Sequence, residues 1–159
     1  MQKIVYLTYM KHNDHKNDEI LQILLRNGRI SNAELAEQVG MSPSTCLRRV
    51  QDLERSGIIK GYRAVLDNKL QGVGFVAYIT VGLSEHSKAA QKAFERSISL
   101  SPDVRECHNI TGAVEYLLRV EVPDITAYKH FHTNVLGSLP QVTAITSYIV
   151  MESPKDDRA

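Results

Sequence analysis

The stretch Arg29–Leu66, RISNAELAEQVGMSPSTCLRRVQDLERSGIIKGYRAVL, decides the reading of this chain. Ser31 followed three residues later by Glu34 is a capping box, in which each side chain satisfies the other residue's free amide, so a short helix begins there. Leu35, Ala36 and Val39 give that helix an inward face, and Gly40 supplies a tight turn. Ser42-Pro43 then opens a second helix, with a capping hydroxyl and a proline at the first helical position. This helix runs to about Ser56, and Cys46, Leu47, Val50 and Leu53 form its expected buried stripe. Ser44, Thr45, Arg48, Arg49 and Asp52 remain for solvent. After Gly57, Ile58–Leu66 alternates and contains Gly61, as a short wing or linking strand does. Two helices around a tight turn, followed by a wing, predict a winged helix-turn-helix, the arrangement that lays its second helix in a major groove.

Upstream, Asn17 is the expected cap of a helix through Arg26, with Ile20, Leu21, Leu24 and Leu25 as its apolar stripe and Asn27-Gly28 ending it. Downstream the periodicity changes. Phe75, Ala77, Ile79, Val81 and Leu83 alternate as one face of a strand, and Ala89, Ala90, Ala93, Phe94 and Ile98 repeat with helical spacing. Val104–Ile110 and Glu115–Val122 read as two strands joined by Thr111-Gly112-Ala113-Val114. Pro123-Asp124 starts a helix bearing Tyr128, Phe131, Val135, Leu136 and Leu139, which Pro140 closes, and Val142–Met151 is the last strand. The order strand, helix, strand, strand, helix, strand is the ferredoxin-like βαββαβ sandwich. The expected fold class is therefore α+β, an N-terminal winged helix-turn-helix followed by a ferredoxin-like sandwich. The expected division is an extension over 1–15, a helical domain over 16–66, a linker over 67–74, the sandwich over 75–151 and a charged tail over 152–159.

Composition is that of an ordinary globular chain: 159 residues, 43% hydrophobic and 23% charged, with a net charge of +1. The charge is uneven, with ten Lys and Arg against seven Asp and Glu in residues 1–66, and nine against eleven in the remainder. The basic half coincides with the helix-turn-helix. The longest nearly apolar run, Val73–Leu83, is far shorter than the roughly 20 residues that span a bilayer, so no membrane partner is expected. The first ten residues are too short and too polar for a signal peptide, and a cytoplasmic location follows. Met10 as the start of translation and an N-terminal arm are alternative readings of residues 1–15. Cys46 and Cys107 lack CxxC spacing and read as reduced, mostly buried thiols.

The physical requirements of a groove-reading helix single out candidate DNA contacts. Ser42, Ser44 and Thr45 sit at the positive N-terminal end, where free amides approach a phosphate. Arg48 and Arg49 lie one turn later, within reach of guanine or of the backbone. Lys60 and Arg63 in the wing are candidate phosphate contacts. The alternative is a solvated face on which Arg48 and Arg49 answer Asp52 and Glu54. Among the six histidines, His12 and His15 precede the first helix, His130 and His132 point apart on a helix, and His86 and His108 are isolated. No zinc spacing results, and neither metal nor cofactor is expected. No nucleophile elbow, P-loop or dinucleotide fingerprint occurs, so no catalytic residues are assigned and an enzyme is not expected.

NGRISNAELAEQVGMSPSTCLRRVQDLERSGIIKGYRAVLD, ECHNITGAVEYLLRVEVPDITAY and the closing TSYIVME, in this order, resemble the Lrp/AsnC, or feast/famine, family of bacterial and archaeal regulators over about Lys16–Met151. The resemblance implies a transcription regulator that binds double-stranded DNA through the helix-turn-helix. It further implies a RAM-type sandwich that assembles dimers, commonly into octamers, and often binds an amino acid between sandwich domains of neighbouring dimers. For such an effector the candidates are Thr111, Gly112, Ala113 and Glu115 in and after the turn, with Asn109 and Tyr148 as pocket wall. A glycine-containing turn presents amides to a carboxylate, and a nearby acid holds an α-ammonium. The chain departs from the family here. The usual turn is Gly-Asp-(aromatic or Tyr)-Asp-Tyr, whereas this one reads Gly112-Ala113-Val114-Glu115-Tyr116, so the first acid is missing, and Asn109 stands where an apolar residue is common. A simple hairpin turn at Gly112 is the alternative. Two further functions stay open beside the effector-controlled regulator: an effector-independent, nucleoid-associated architectural protein, and a small-molecule sensor or enzyme domain without DNA binding.

Overall fold

The computed structural model describes residues 15–156, which form two compact units dividing between Ala64 and Val65. The expectations for residues 1–14, His12 among them, lie outside the described residues.

The first unit holds α1 (His15–Arg26), α2 (Asn32–Gln38) and α3 (Pro43–Arg55). Helix α1 already includes Asn17, which is therefore not its cap; the Asn17 side chain instead accepts a hydrogen bond from Arg49 on α3. Ile20 is fully buried, with Leu21, Ile23 and Leu24 packed beside it, whereas Leu25 is 78% exposed. Leu25 falls outside the stripe because a step of five residues on a helix turns it well away from Ile20. The capping box at α2 forms as its residues dictate: the Glu34 amide donates to Ser31 Oγ at 3.2 Å, and the Ser31 amide donates to Glu34 Oε2 at 3.1 Å. Gly40 turns the chain at φ 65°, a conformation that favours glycine. The Ser42 hydroxyl then caps α3 by accepting from the Thr45 amide at 3.4 Å. Asn32 Nδ2 donates to the Pro43 carbonyl at 2.8 Å and so ties the start of α2 to the start of α3. Cys46 and Leu53 are buried and Val50 packs against them, but Leu47 is 46% exposed and leaves the predicted stripe.

No strand forms over Ile58–Leu66. An extended segment becomes a strand only when a neighbour takes its amides and carbonyls, and none lies alongside among the described residues. The segment folds back locally instead. Tyr62 packs its ring against Gly28, and its hydroxyl donates to Glu54 Oε1 at 2.9 Å.

The second unit carries a four-stranded antiparallel sheet in the order β2-β3-β1-β4, built from β1 (Phe75–Leu83), β2 (Val104–Asn109), β3 (Tyr116–Val122) and β4 (Val142–Ile149). Helix α4 (Lys88–Ser99) links β1 to β2, and α5 (Ile125–His130) runs into a π-helical turn, Phe131–Leu136, before β4. This is the ferredoxin-like order. Strand β1 has its expected bounds, β3 begins one residue late, β2 and β4 stop one and two residues short, and the single helix expected after Asp124 divides in two. The π-helical turn sets Phe131 and Leu136, five residues apart, on one side, and both are fully buried.

The core lies between the helices and one face of the sheet: Ala77, Ile79, Val81, Leu118 and Val120 against Phe94, Ile98, Phe131 and Leu136. Each large side chain removed from water there contributes about 1.5–3 kcal/mol. Opposite partners in the register share a face, so Tyr78, Thr80, Thr146 and Tyr148 lie on the other side of the sheet. That face also holds a charge network. Glu121, with its side chain 7% exposed, pairs with Arg119 and with Arg105 Nε at 3.1 Å, and Arg119 reaches Asp156 at 3.8 Å.

Candidate functional site

The helix-turn-helix sorts the candidate side chains by what they already bond. Ser42 Oγ is taken up by the cap and by donation to Thr45 Oγ1 at 2.8 Å, so both hydroxyls shape the start of α3. Ser44 is exposed with its Oγ 3.3 Å from that of Ser42. Arg48 stands exposed on the outer face. Arg49 does not share that face: it is half-buried, and its Nη1 donates to Asn17 Oδ1 at 3.0 Å. Lys60 and Arg63 are exposed on the irregular segment after α3 rather than on a hairpin. Two side chains on the exposed face escaped sequence reasoning, Leu47 and Gln51. Apolarity alone places Leu47 in the core, and the signal that places it outside is its offset by one residue from the Cys46, Val50, Leu53 row.

In the second unit, Thr111, Gly112 and Ala113 form an exposed turn, closed below by the Ile110 amide donating to the Glu115 carbonyl at 2.8 Å. Nothing lies within 4 Å of where a Gly112 side chain would begin. Glu115 points back into its own domain. Its Oε2 accepts from the Leu83 amide at 2.7 Å, its Oε1 lies 2.9 Å from His86 Nδ1, and its side chain is 13% exposed. The carboxylate therefore clamps the turn to the end of β1.

Asn109 sits on edge strand β2, opposite Tyr116 and on the helix side of the sheet. It lines a cleft of about 320 Å³ together with Glu95, Ile98, Val104, Cys107 and Tyr116. The Tyr116 hydroxyl donates to Glu95 Oε1 at 2.8 Å, and burial, reinforced by that bond, pushes its pKa up to about 12. Tyr148 is elsewhere. It pairs with Tyr78 on the opposite face, four positions along β1 from Gly82, the residue that Val114 packs beside. Within one chain the turn, Asn109 and Tyr148 do not converge. Cys107 is exposed, against the expectation of a buried thiol, because an edge strand has one side open; Cys46 is buried as expected, and both are unpaired. Desolvation raises the pKa of each thiol, at Cys107 within the cleft that it lines, where Glu95 adds to the effect.

Among the described residues no group of three or more His, Cys, Asp or Glu could hold a metal ion. No helix among them is long and apolar enough to cross a membrane.

A helix-turn-helix whose second helix bears an exposed arginine, followed in sequence by an antiparallel α+β domain with an outward turn, defines a DNA-binding transcription regulator with a ligand-binding domain. The sequence families agree. Residues 14–60 match a model described as winged helix-turn-helix DNA-binding, and residues 76–159 match one described as the Lrp/AsnC ligand binding domain. The chain belongs to the Lrp/AsnC family of transcription regulators. It is 36% identical to the leucine-responsive regulatory proteins of Escherichia coli and Salmonella typhimurium over 145 residues, 91% of this chain and 88% of theirs. A transcriptional regulator from Neisseria meningitidis, crystallised as a complex with L-methionine, superposes with a TM-score of 0.86 at 37% identity, covering 90% of this chain and 92% of that one. An AsnC family regulator from Agrobacterium tumefaciens gives a TM-score of 0.85 at 33% identity over 90% and 93% of the two chains.

Proposed function

We propose that the chain is a sequence-specific, homo-oligomeric regulator that touches DNA through the outer face of α3, with an amino acid or a related small molecule as its effector. The observation that carries this reading is Arg48, exposed on a helix capped by Ser42 and free of any intramolecular partner among the described residues. Arg48 is the base or backbone contact, Ser44 lies where the helix N-terminus meets a phosphate, and Lys60 and Arg63 are phosphate contacts. Oligomers form through the open sheet face, whose Tyr78, Thr80, Thr146 and Tyr148 offer a mixed apolar and hydroxyl surface, and half-sites follow at about one helical turn. A regulator of this kind acts where the DNA is, in the cytoplasm, and does no catalysis.

The experiment is DNA binding by fluorescence anisotropy on genomic fragments over a salt series. Affinity that falls steeply with salt supports the reading, and no binding even at low salt overturns it in favour of a sensor domain. A thermal-shift screen of the twenty amino acids tests the effector, with methionine first because of the Neisseria complex. A ligand at about 100 times its Kd stabilises by about 2.7 kcal/mol. The engaged Glu115 and the missing acid at Ala113 favour a second reading, an effector-independent architectural protein, and a flat screen supports it. Light scattering on the same samples gives the mass of the assembly.

A further inference from the structure

The outer face of α3 carries at its edge an apolar side chain, Leu47, that the fold leaves half in water. At 100° per residue, Ser44, Leu47, Arg48, Gln51 and Arg55 fall within about 100° of arc on that helix. Most exposed polar groups of the helix are already committed. Ser44 leans on Ser42, Arg55 pairs with Asp52 and donates to the Gln51 carbonyl, and Glu54 accepts from Tyr62. Three side chains are left over: Leu47, Arg48 and Gln51. Neither Arg48 nor Gln51 has a side-chain hydrogen bond among the described residues. Leu47 keeps 46% of its surface in water at the edge of this face, about 40° of arc from Gln51, while its neighbour Cys46 is fully buried.

One exposed leucine means little by itself. Its setting gives it meaning, because the major groove offers a reading helix a single apolar feature, the thymine 5-methyl group, and offers a glutamine the adenine N6 and N7 pair. Leu47 and Gln51 are four residues apart, one turn or about 5–6 Å along the helix, a separation that spans adjacent base pairs. Resting on the DNA reading above, we propose that Leu47 and Gln51 are specificity-determining residues, Leu47 packing on a thymine methyl and Gln51 hydrogen-bonding the adenine of the same or the next base pair. Arg48, one position from Leu47, flanks this pair as the cation. Each half-site accordingly contains an A·T pair that tolerates neither G·C nor loss of the methyl.

The test uses the full chain and a bound fragment whose thymines are replaced one at a time by deoxyuridine, which removes only the methyl, and whose adenines are replaced by 7-deazaadenine, which removes only N7. For the unaltered protein, one uracil position per half-site weakens binding about fourfold, the effect of losing about one buried methyl group, and a deazaadenine within one base pair of it weakens binding about tenfold. Leu47→Ala binds the thymine and uracil fragments equally, and Gln51→Ala binds the adenine and deazaadenine fragments equally. Both positions are on the surface, so melting temperatures stay near that of the parent, and Leu47→Met, which keeps an apolar tip, retains sensitivity to the methyl. Uracil without effect at every position, or a Leu47→Ala variant as sensitive as the parent, overturns the proposal while leaving salt-dependent DNA binding intact. Loss of all DNA binding by the parent overturns the underlying reading instead.

Discussion

Arg49 and Asn17 join the ends of the helical unit: Nη1 of the arginine on α3 donates to Oδ1 of the asparagine on α1 at 3.0 Å. The adjacent Arg48 has no such tether among the described residues, so two neighbouring arginines of the same charge have different roles. Truncating Arg49 removes a half-buried, charge-assisted bond, and Arg49→Ala is expected to lose about 1.5 kcal/mol of stability, read as an earlier denaturant midpoint. Arg48→Ala keeps the parent midpoint and loses about tenfold in affinity for a specific fragment. Equal midpoints for the two variants would show that the asparagine tether contributes nothing.

Tyr116 provides the pH-dependent case. It is 1% exposed, bonded to Glu95, and its pKa is pushed up from about 10 to about 12. A raised acid pKa means that the folded protein holds the proton more tightly than the unfolded chain. The stabilising contribution is therefore complete below pH 10 and is lost as pH rises from about 10 to about 12. Stability measured over that interval should fall for the parent. Tyr116→Phe, with no proton to lose, should show a shallower decline, and tyrosinate absorbance should reveal one late-titrating group fewer in the variant than in the parent.

Local chemistry accounts for what was legible in the sequence. Ser31 with Glu34, and Ser42 with Pro43, each complete their cap within three residues, so the start of α2 and of α3 followed from spacing alone. The alternation of β1 likewise needs no partner to be seen. Leu25 and Leu47 differ from expectation through local helical phase, whereas the other differences depend on groups distant in the chain. The π-helical turn at Phe131–Leu136 is set by how Leu136 enters the sheet core. The missing strand at Ile58–Leu66 reflects the lack, among the described residues, of a neighbour to complete a ladder. At the candidate sites, Arg49 matched the spacing of a reader, but Asn17 lies 32 positions away in sequence. Glu115 matched a ligand acid, but its partners Leu83 and His86 come about thirty residues earlier.

The charge network on the open sheet face is the third place where a single change has a large expected effect. Glu121 is 8% exposed and sits between Arg105 and Arg119, whose own side chain is 12% exposed. Removing the central carboxylate leaves a buried guanidinium with, among the described residues, only the more distant Asp156. Glu121→Ala should cost about 3 kcal/mol. Arg105 is half exposed and can turn to water, so Arg105→Ala should cost under about 1 kcal/mol. Chemical denaturation of the two variants side by side checks the order, and a larger loss at Arg105 would refute it.

Glu115 separates a structural clamp from a ligand group. Both of its oxygens are occupied in the free chain, by the Leu83 amide and by His86. Losing the carboxylate leaves the Leu83 amide without that partner, so Glu115→Ala should destabilise the ligand-free protein by about 2 kcal/mol. His86 is largely exposed, and His86→Ala should cost under about 1 kcal/mol because it removes only the outer half of the clamp. A group whose task is to hold an α-ammonium behaves oppositely: its truncation leaves the free protein's melting temperature in place and abolishes the shift produced by an amino acid. Melting curves of the parent and of Glu115→Ala, each with and without methionine, distinguish the two. A clamp lowers both curves of the variant together and leaves the gap between them unchanged, because Thr111, Gly112 and Ala113 still present their backbone to a carboxylate.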